Sequence, residues 1–318
     1  MSLFNKIITI TFLFLTGCGV FIKQPQFKKQ DGPVIELSGT SFKYWDGNLN
    51  FVKQNLFIES DVIIICIPGI GGHTGTYNSL QKYFSEQKIS TVGIDIRGFG
   101  HWTGRKGDMK NIGLHIRDID QVVDYYRNNY PGKKILLLSE SLGSSFCIWY
   151  SACYPEKTDG LIITSLITRK GEGNIKLKTV LNFTLAYYFC PARPVLLQSD
   201  PSKYSDDPDF MKWMTVSDTL ITRKISPRYL IQSNRIIKRS YGYLCNYEKP
   251  TLLLQGGKDF MSDKKDIIKI LDHCRLGNIQ YKYFQEDYHS LVNDLNRTEV
   301  YDTMIEWINN NYKPGKLK

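Results

Sequence analysis

The sequence predicts an α/β fold: a mostly parallel central sheet, helices on both faces, and an inserted helical cap. Three observations carry that expectation. Short, continuous apolar runs recur along the chain, as in strands buried on both faces of a parallel sheet. Segments with apolar residues at helical spacing separate those runs. The alternation then breaks for about 85 residues between Ser165 and Thr251, which reads as one long insertion at a single connection.

The elements follow in order. Two strand-like stretches open the domain, near residues 34–45 and 49–58. "DVIIICIPG" (61–69) is the first fully apolar run, a helix is expected over 76–87, and "STVGID" (90–95) is the next strand. From Ile112, the residues Ile116, Ile119, Val123 and Tyr126 lie on one helical face, and Pro131-Gly132 stops that helix. "KKILLLS" (133–139) is a strand, "LGSSFCIWYSACY" (142–154) a helix with small residues at its start, and "GLIITS" (160–165) a strand. After the insertion come "PTLLLQGGKD" (250–259), a helix near 263–273, "NIQYKYF" (278–284) and a C-terminal helix near 297–312. The expected division is 1–17 signal, 18–33 tether, 34–165 first part of the core, 166–249 cap and 250–318 second part of the core. The cap segment holds Pro191, Pro194, Pro201 and Pro208, a helix over 175–189, and the aromatic stretch "LAYYFC" (185–190), suited either to acyl chains or to core packing.

A length of 318 residues, 42% hydrophobic and 23% charged, fits one large globular domain with an insertion. The net charge of +10 comes from cations spread along the chain, with no basic motif interleaved with aromatics. Nucleic acid is therefore not an expected partner; attraction to an anionic membrane surface fits better. Seven cysteines show no CxxC or histidine-rich spacing, so no metal site is expected. The apolar run Ile7–Leu15 after Lys6 suits a secretory signal and is short for a bilayer span. It ends in Leu15-Thr16-Gly17-Cys18, which resembles a bacterial lipobox; that resemblance implies cleavage before Cys18, lipidation of its thiol, and a cell-membrane or outer-membrane protein facing the extracytoplasmic side. The other six cysteines read mostly as buried thiols, with one disulfide left open.

The chemistry centres on "LLLSESLG" (136–143), a buried strand that stops at a serine with small residues two positions either side. Strand, sharp turn and helix is the setting of a nucleophile elbow, and Ser139 and Gly143 meet its steric demand around Ser141. A serine hydroxyl needs a base. His289 in "EDYHSLV" follows the last strand, and Asp259 in "LLLQGGKD" closes the preceding one. Both lie at strand C-terminal ends, where parallel-sheet sites gather. The Leu142 N–H, at the start of the following helix, suits a developing oxyanion. Ser139, Ser144, Ser145, His101 and His115 read as structural, Asp263 as a helix cap, Asp95 as a brace for the glycine turn, and Glu140 as a hydrogen-bonder at the elbow. His73 either lines the pocket or bonds within its loop.

From about residue 34 to 312 the chain resembles an α/β-hydrolase of the monoacylglycerol lipase and lysophospholipase branch, often grouped with serine-aminopeptidase-like hydrolases. "PGIGGHTGTYNSL" (68–80) is similar to that branch's oxyanion loop, with Pro68 where a histidine usually stands, "DIRGFGHWTG" (95–104) to its glycine motif, and "LLLQGGKD" to its acid strand. The resemblance implies Ser141 as nucleophile, Asp259 as acid, His289 as base, and the Ile70 and Leu142 amides as the oxyanion hole. It also implies a lipid or small acyl ester as substrate, and no cofactor. Peptidase, thioesterase and acyltransferase chemistry on the same triad stay open, as does a non-catalytic surface lipoprotein built on the same fold.

Overall fold

"VIIICI" forms a strand because β-branched side chains suit a pleated surface, and all six residues are buried. The even residues Val62, Ile64 and Cys66 enter one core cluster; Ile63, Ile65 and Ile67, equally buried, point to the other face by the twofold period of a strand. A side chain such as Ile64, 0% exposed, contributes about 1.5–3 kcal/mol by leaving water. Its truncation to Ala would cost about 2–5 kcal/mol.

The computed structural model describes residues 37–38, 40–168, 177–196, 200–274 and 277–313, with side chains for 40–168, 183–196, 200–274 and 277–313. The lipobox reading at Cys18 and the signal and tether lie outside the described residues. Strands β1 (Leu37–Ser38), β2 (Ser41–Lys43) and β3 (Leu49–Asn55) form an antiparallel edge. Then follow β4 (Val62–Ile67), helix α1 (Asn78–Glu86), β5 (Ser90–Ile94), α2 (Leu114–Asn129), β6 (Lys134–Glu140), α3 (Leu142–Cys153) and β7 (Gly160–Thr164). The next segment carries α4 (Leu177–Phe189), β8 (Val195–Leu196), α5 (Pro208–Lys212), β9 (Lys224–Ile225) and α6 (Pro227–Leu244). The chain closes with β10 (Thr251–Gly256), α7 (Lys264–Cys274), β11 (Ile279–Phe284) and α8 (Arg297–Tyr312).

The nine-stranded sheet runs β1-β2-β3-β5-β4-β6-β7-β10-β11. From β5 to β11 every neighbouring pair is parallel. The chain goes from β4 outward to β5, then returns across β4 to β6. That reversal puts α1 and α2 on opposite faces and leaves a crevice at the C-terminal ends of β4 and β6. Tyr77, Leu80 and Phe84 around α1, with Val300, Met304 and Trp307 of α8, cover one face. Helices α2 and α3 contact the sheet on the other, and α6 packs along α3.

β7 and β10 are adjacent and parallel, yet the described residues joining them hold three α-helices and the separate antiparallel pair β8–β9. No residue described between 165 and 250 adds a strand to the central sheet. The aromatic end of α4 is not packed on the core: Tyr188 is 63% and Phe189 79% exposed, which sets aside the packing alternative for those two side chains. The cysteines divide in a way their spacing did not reveal. Cys66 and Cys147 are buried thiols and Cys190 is exposed, whereas Cys245, just past α6, is bonded to Cys274 at the end of α7.

Candidate active site

Ser141 ends β6 and begins α3 with φ +58° and ψ −124°, a left-handed conformation that costs a non-glycine residue about 1–3 kcal/mol and persists only where its surroundings enforce it. The enforcement is visible. A Cβ on Gly143 would lie 2.6 Å from the carbonyl oxygens of Ile67 and Pro68, so α3 can start this close to β4 only with glycine there. A Cβ on Gly69 would come within 3.0 Å of the Ser141 Cβ, which places the loop after β4 directly against the elbow. Ser141 N–H donates to Thr164 O at 3.1 Å, fixing the turn to β7.

The loop after β11 carries His289. Its Nε2 lies 3.0 Å from Ser141 Oγ and its Nδ1 2.8 Å from Asp259 Oδ1. A ring Nδ1 facing a carboxylate carries the proton, which leaves Nε2 as the acceptor for the serine hydroxyl. Asp259 also accepts from the Met261 N–H at 2.7 Å and from Gln255 Nε2 at 2.7 Å. Burial pushes its carboxyl upward, but the His289 charge and these hydrogen bonds prevail and hold it below the usual carboxylate range. Burial pushes the His289 imidazole downward, and Asp259, through charge and hydrogen bond, outweighs it and raises it, with Glu140 adding in the same direction. All three side chains are buried, at 4%, 2% and 4% exposure for Ser141, His289 and Asp259. Tyr204 and Phe260 close over the imidazole, with ring centroids 5.7 and 5.5 Å away.

The structure therefore brings Ser141, Asp259 and His289 into one hydrogen-bonded line. Leu142 N–H is the first amide of α3, where the helix supplies no acceptor of its own, and Ile70 follows Gly69 in the loop that abuts Ser141. The remaining residues divide as follows. Asp263 Oδ1 accepts from the Lys265 N–H at the start of α7, as a cap does. Asp95 Oδ1 accepts from Thr74 N and Oγ1, and Oδ2 from His101 N, so it ties the glycine turn to the loop after β4. His115 is buried against Tyr229 Oη at 3.0 Å, and burial with Arg97 nearby pushes its imidazole down to about 3.

His73 bonds within its own loop, and its partner from the insertion leaves no mark in the sequence. His73 Nδ1 accepts from the Gly75 N–H, so its proton sits on Nε2, which donates to Asp218 Oδ2 at 2.6 Å. The Thr222 N–H donates to Gly71 O at 2.9 Å. The insertion thus braces the loop containing Ile70 from outside. Tyr204, Gln255 and Asp294, whose Oδ2 accepts from Tyr288 N–H, are likewise invisible as site residues until the chain is folded.

A buried Ser–His–Asp line behind a strained strand-to-helix turn, on a doubly wound sheet, defines the α/β-hydrolase class. Comparison with known proteins makes this more specific. The family described as "Serine aminopeptidase, S33" matches residues 58–296, and the chain belongs to that family. Human monoglyceride lipase is 26% identical over 253 residues, covering 78% of this chain and 80% of that protein. A monkeypox virus monoglyceride lipase homolog is 24% identical over 280 residues, covering 85% and 94%. Among solved structures, a Paleococcus ferrophilus monoacylglycerol lipase shares the fold with TM-score 0.72 at 20% identity, covering 82% of this chain and 99% of that one. A soluble variant of the Saccharomyces cerevisiae monoglyceride lipase, in complex with a substrate analog, does so with TM-score 0.73 at 18% identity, covering 91% and 99%.

Proposed function

We propose that the chain hydrolyses carboxylic esters of the monoacylglycerol or lysophospholipid type, using Ser141 as nucleophile, His289 as base and Asp259 as acid. The observation that carries the reading is the continuous bonding from Ser141 Oγ through His289 to Asp259, set behind the strained backbone of Ser141. His289 Nε2 takes the serine proton while Oγ bonds to the acyl carbon. The carbonyl oxygen becomes an anion facing the Ile70 and Leu142 amides. The tetrahedral adduct collapses, the bond to the alcohol breaks, and the Nε2 proton passes to the departing oxygen. A water then repeats the sequence in the acyl-enzyme, releasing the acid and restoring Ser141. No step needs a cofactor.

The lipid character of the substrate has physical support. Leu185, Tyr188, Phe189, Leu196 and Val216, all in the insertion, are exposed large apolar side chains. We read the insertion as a cap that shapes the acyl pocket, with this rim meeting lipid. Attachment through Cys18 on the extracytoplasmic side completes the reading, and the Cys245–Cys274 bridge supports export, because disulfides persist in oxidising compartments.

Labelling with a fluorophosphonate probe, followed by a panel of esters, amides and thioesters of matched acyl length, tests the chemistry. The expected result is labelling lost in Ser141→Ala and turnover confined to esters. Labelling that survives Ser141→Ala, or preferential amide cleavage, would overturn it. For the anchor, Cys18→Ser should abolish fatty-acid incorporation and membrane partitioning; undiminished incorporation would remove the lipobox from the argument.

A further inference from the structure

Glu140 separates Ser139 from the nucleophile and takes no part in the mechanism above, yet its carboxyl lies inside the site. Its Oε1 accepts from Ser290 Oγ at 3.4 Å, and Ser290 is the residue after the imidazole. Its Oε2 is sealed from solvent with no hydrogen-bond partner among the described residues. The phenols packed near it are committed elsewhere: Tyr77 Oη donates to Ile67 O, and Tyr301 Oη, from α8, donates to Val292 O. The other titratable groups acting on Glu140 are His289 and Asp259. A carboxyl retained in such a place with one long hydrogen bond is costly unless a charge answers it. The charge available is the imidazolium that forms on His289 whenever Ser141 gives up its proton.

Resting on the triad assigned above, we propose that Glu140 is a positioning residue for the base: it holds the backbone of His289 through Ser290 and supplies a second carboxylate to the imidazole besides Asp259. It does not touch substrate and transfers no proton to it. Burial, with Asp259 adding to it, pushes Glu140 up to about 7, against the opposing pull of His289 and Ser290. The carboxyl therefore ionises in the range where the enzyme would work, and its charge strengthens the imidazole's hold on a proton. His289 must be neutral to accept from Ser141. The negative charge on Glu140 consequently moves the acidic limb of the pH–rate profile upward and stabilises the imidazolium of the transition state in return.

The test is the pH dependence of kcat/KM on a short-chain nitrophenyl ester, for the full chain and for Glu140→Gln and Glu140→Asp. In Glu140→Gln the acidic limb should move to lower pH, so that at its foot the variant keeps a several-fold larger share of its own plateau than wild type. The plateau itself should fall, because the imidazolium loses a carboxylate. Glu140→Asp should return the limb toward the wild-type position. Folding is checked separately. A carboxyl whose affinity for protons is raised on folding destabilises the folded state as pH rises from the unfolded value through the folded one. Above neutral pH the thermal midpoint of Glu140→Gln should therefore equal or exceed that of wild type. A limb that stays in place in Glu140→Gln, with Ser141 still labelled by the probe, overturns the inference alone. Absence of labelling at Ser141 in wild type would instead remove the triad on which it stands.

Discussion

The Cys245–Cys274 bridge closes a loop of 29 residues that contains β10, the Asp259 loop and α7. Replacing both cysteines by alanine removes that closure from the unfolded chain. The chain-entropy relation for a loop of this length gives about 3.6 kcal/mol of lost stability at 25 °C. For a domain of this size, that corresponds to a fall of roughly 6–10 °C in the thermal midpoint. The assay is urea unfolding of a soluble form beginning at Lys23, followed by fluorescence, with and without reductant. Thiol titration of the denatured protein fixes the starting state: four free thiols, Cys66, Cys147, Cys153 and Cys190, should react before reduction, and the bridged pair adds to them afterwards. Because β10 is held between β7 and β11 by parallel pairing, ester turnover at low temperature should survive the substitutions. If the double variant unfolds at the same urea concentration as the oxidised wild type, with unchanged slope, the bridge does not constrain the unfolded chain and the reasoning fails.

Two further expectations concern the site loops. Asp259→Asn should leave the fold intact and lower turnover by roughly 10⁴-fold, the triad precedent for an imidazole held in the wrong tautomer, while Asp263→Asn should leave turnover nearly unchanged; steady-state kinetics showing the reverse would mean that the acid is misassigned. Asp218→Ala strips the buried His73 Nε2 of its acceptor and loosens the loop carrying Ile70, so kcat on short esters should fall by about tenfold, a fraction of the loss on deleting an oxyanion donor outright, with KM nearly constant. A rise in KM at unchanged kcat would make Asp218 a substrate contact rather than a brace.

How much of this was legible in the sequence depends on what kind of contact each feature needs. The inner strands were, because a parallel strand buried on both faces must be apolar at every position, as in Val62–Ile67 and Thr251–Gly256. Ser141 stood out because the elbow constrains its own neighbours: Gly143 cannot carry a Cβ beside Ile67 and Pro68. Asp259 and His289 could be located by their place at strand ends. The strand expected over 34–45 is, among its described residues, two short strands, β1 and β2, with Thr40 in a turn between them, and strands near a sheet edge carry little apolar pattern. Nothing local marked Asp218, which meets His73 across 145 residues, or the pairing of Cys245 with Cys274. Tyr188 and Phe189 look like core residues by composition and stand in solvent instead. Only the three-dimensional surroundings of Glu140 distinguish it from an ordinary elbow side chain.

The hydrogen bonds between the insertion and the site loops argue for a shared structure rather than a lid resting on a finished active site. Thr222 N–H donates to Gly71 O in the loop after β4, and Ser290 N–H, beside the imidazole, donates to Tyr204 O at 2.7 Å. Thr168, where the chain leaves the core, donates its N–H to Met261 O and accepts from the Asp263 N–H through Oγ1, both in the Asp259 loop just before α7. The loops that carry Ile70, Asp259 and His289 therefore each end on a residue from the segment between β7 and β10, whereas the turn at Ser141 is tied to β7 itself. Breaking those bonds by substitution within the segment would remove the partner of a backbone donor or acceptor in all three loops, each costing about 1–3 kcal/mol where the group stays buried and unpaired. Among the described residues, the exposed apolar side chains Tyr188 and Phe189 lie outside those bonds. If the insertion caps the acyl pocket as proposed, substitutions at Tyr188 and Phe189 should change acyl-chain preference while the loops and the chemistry they hold stay fixed.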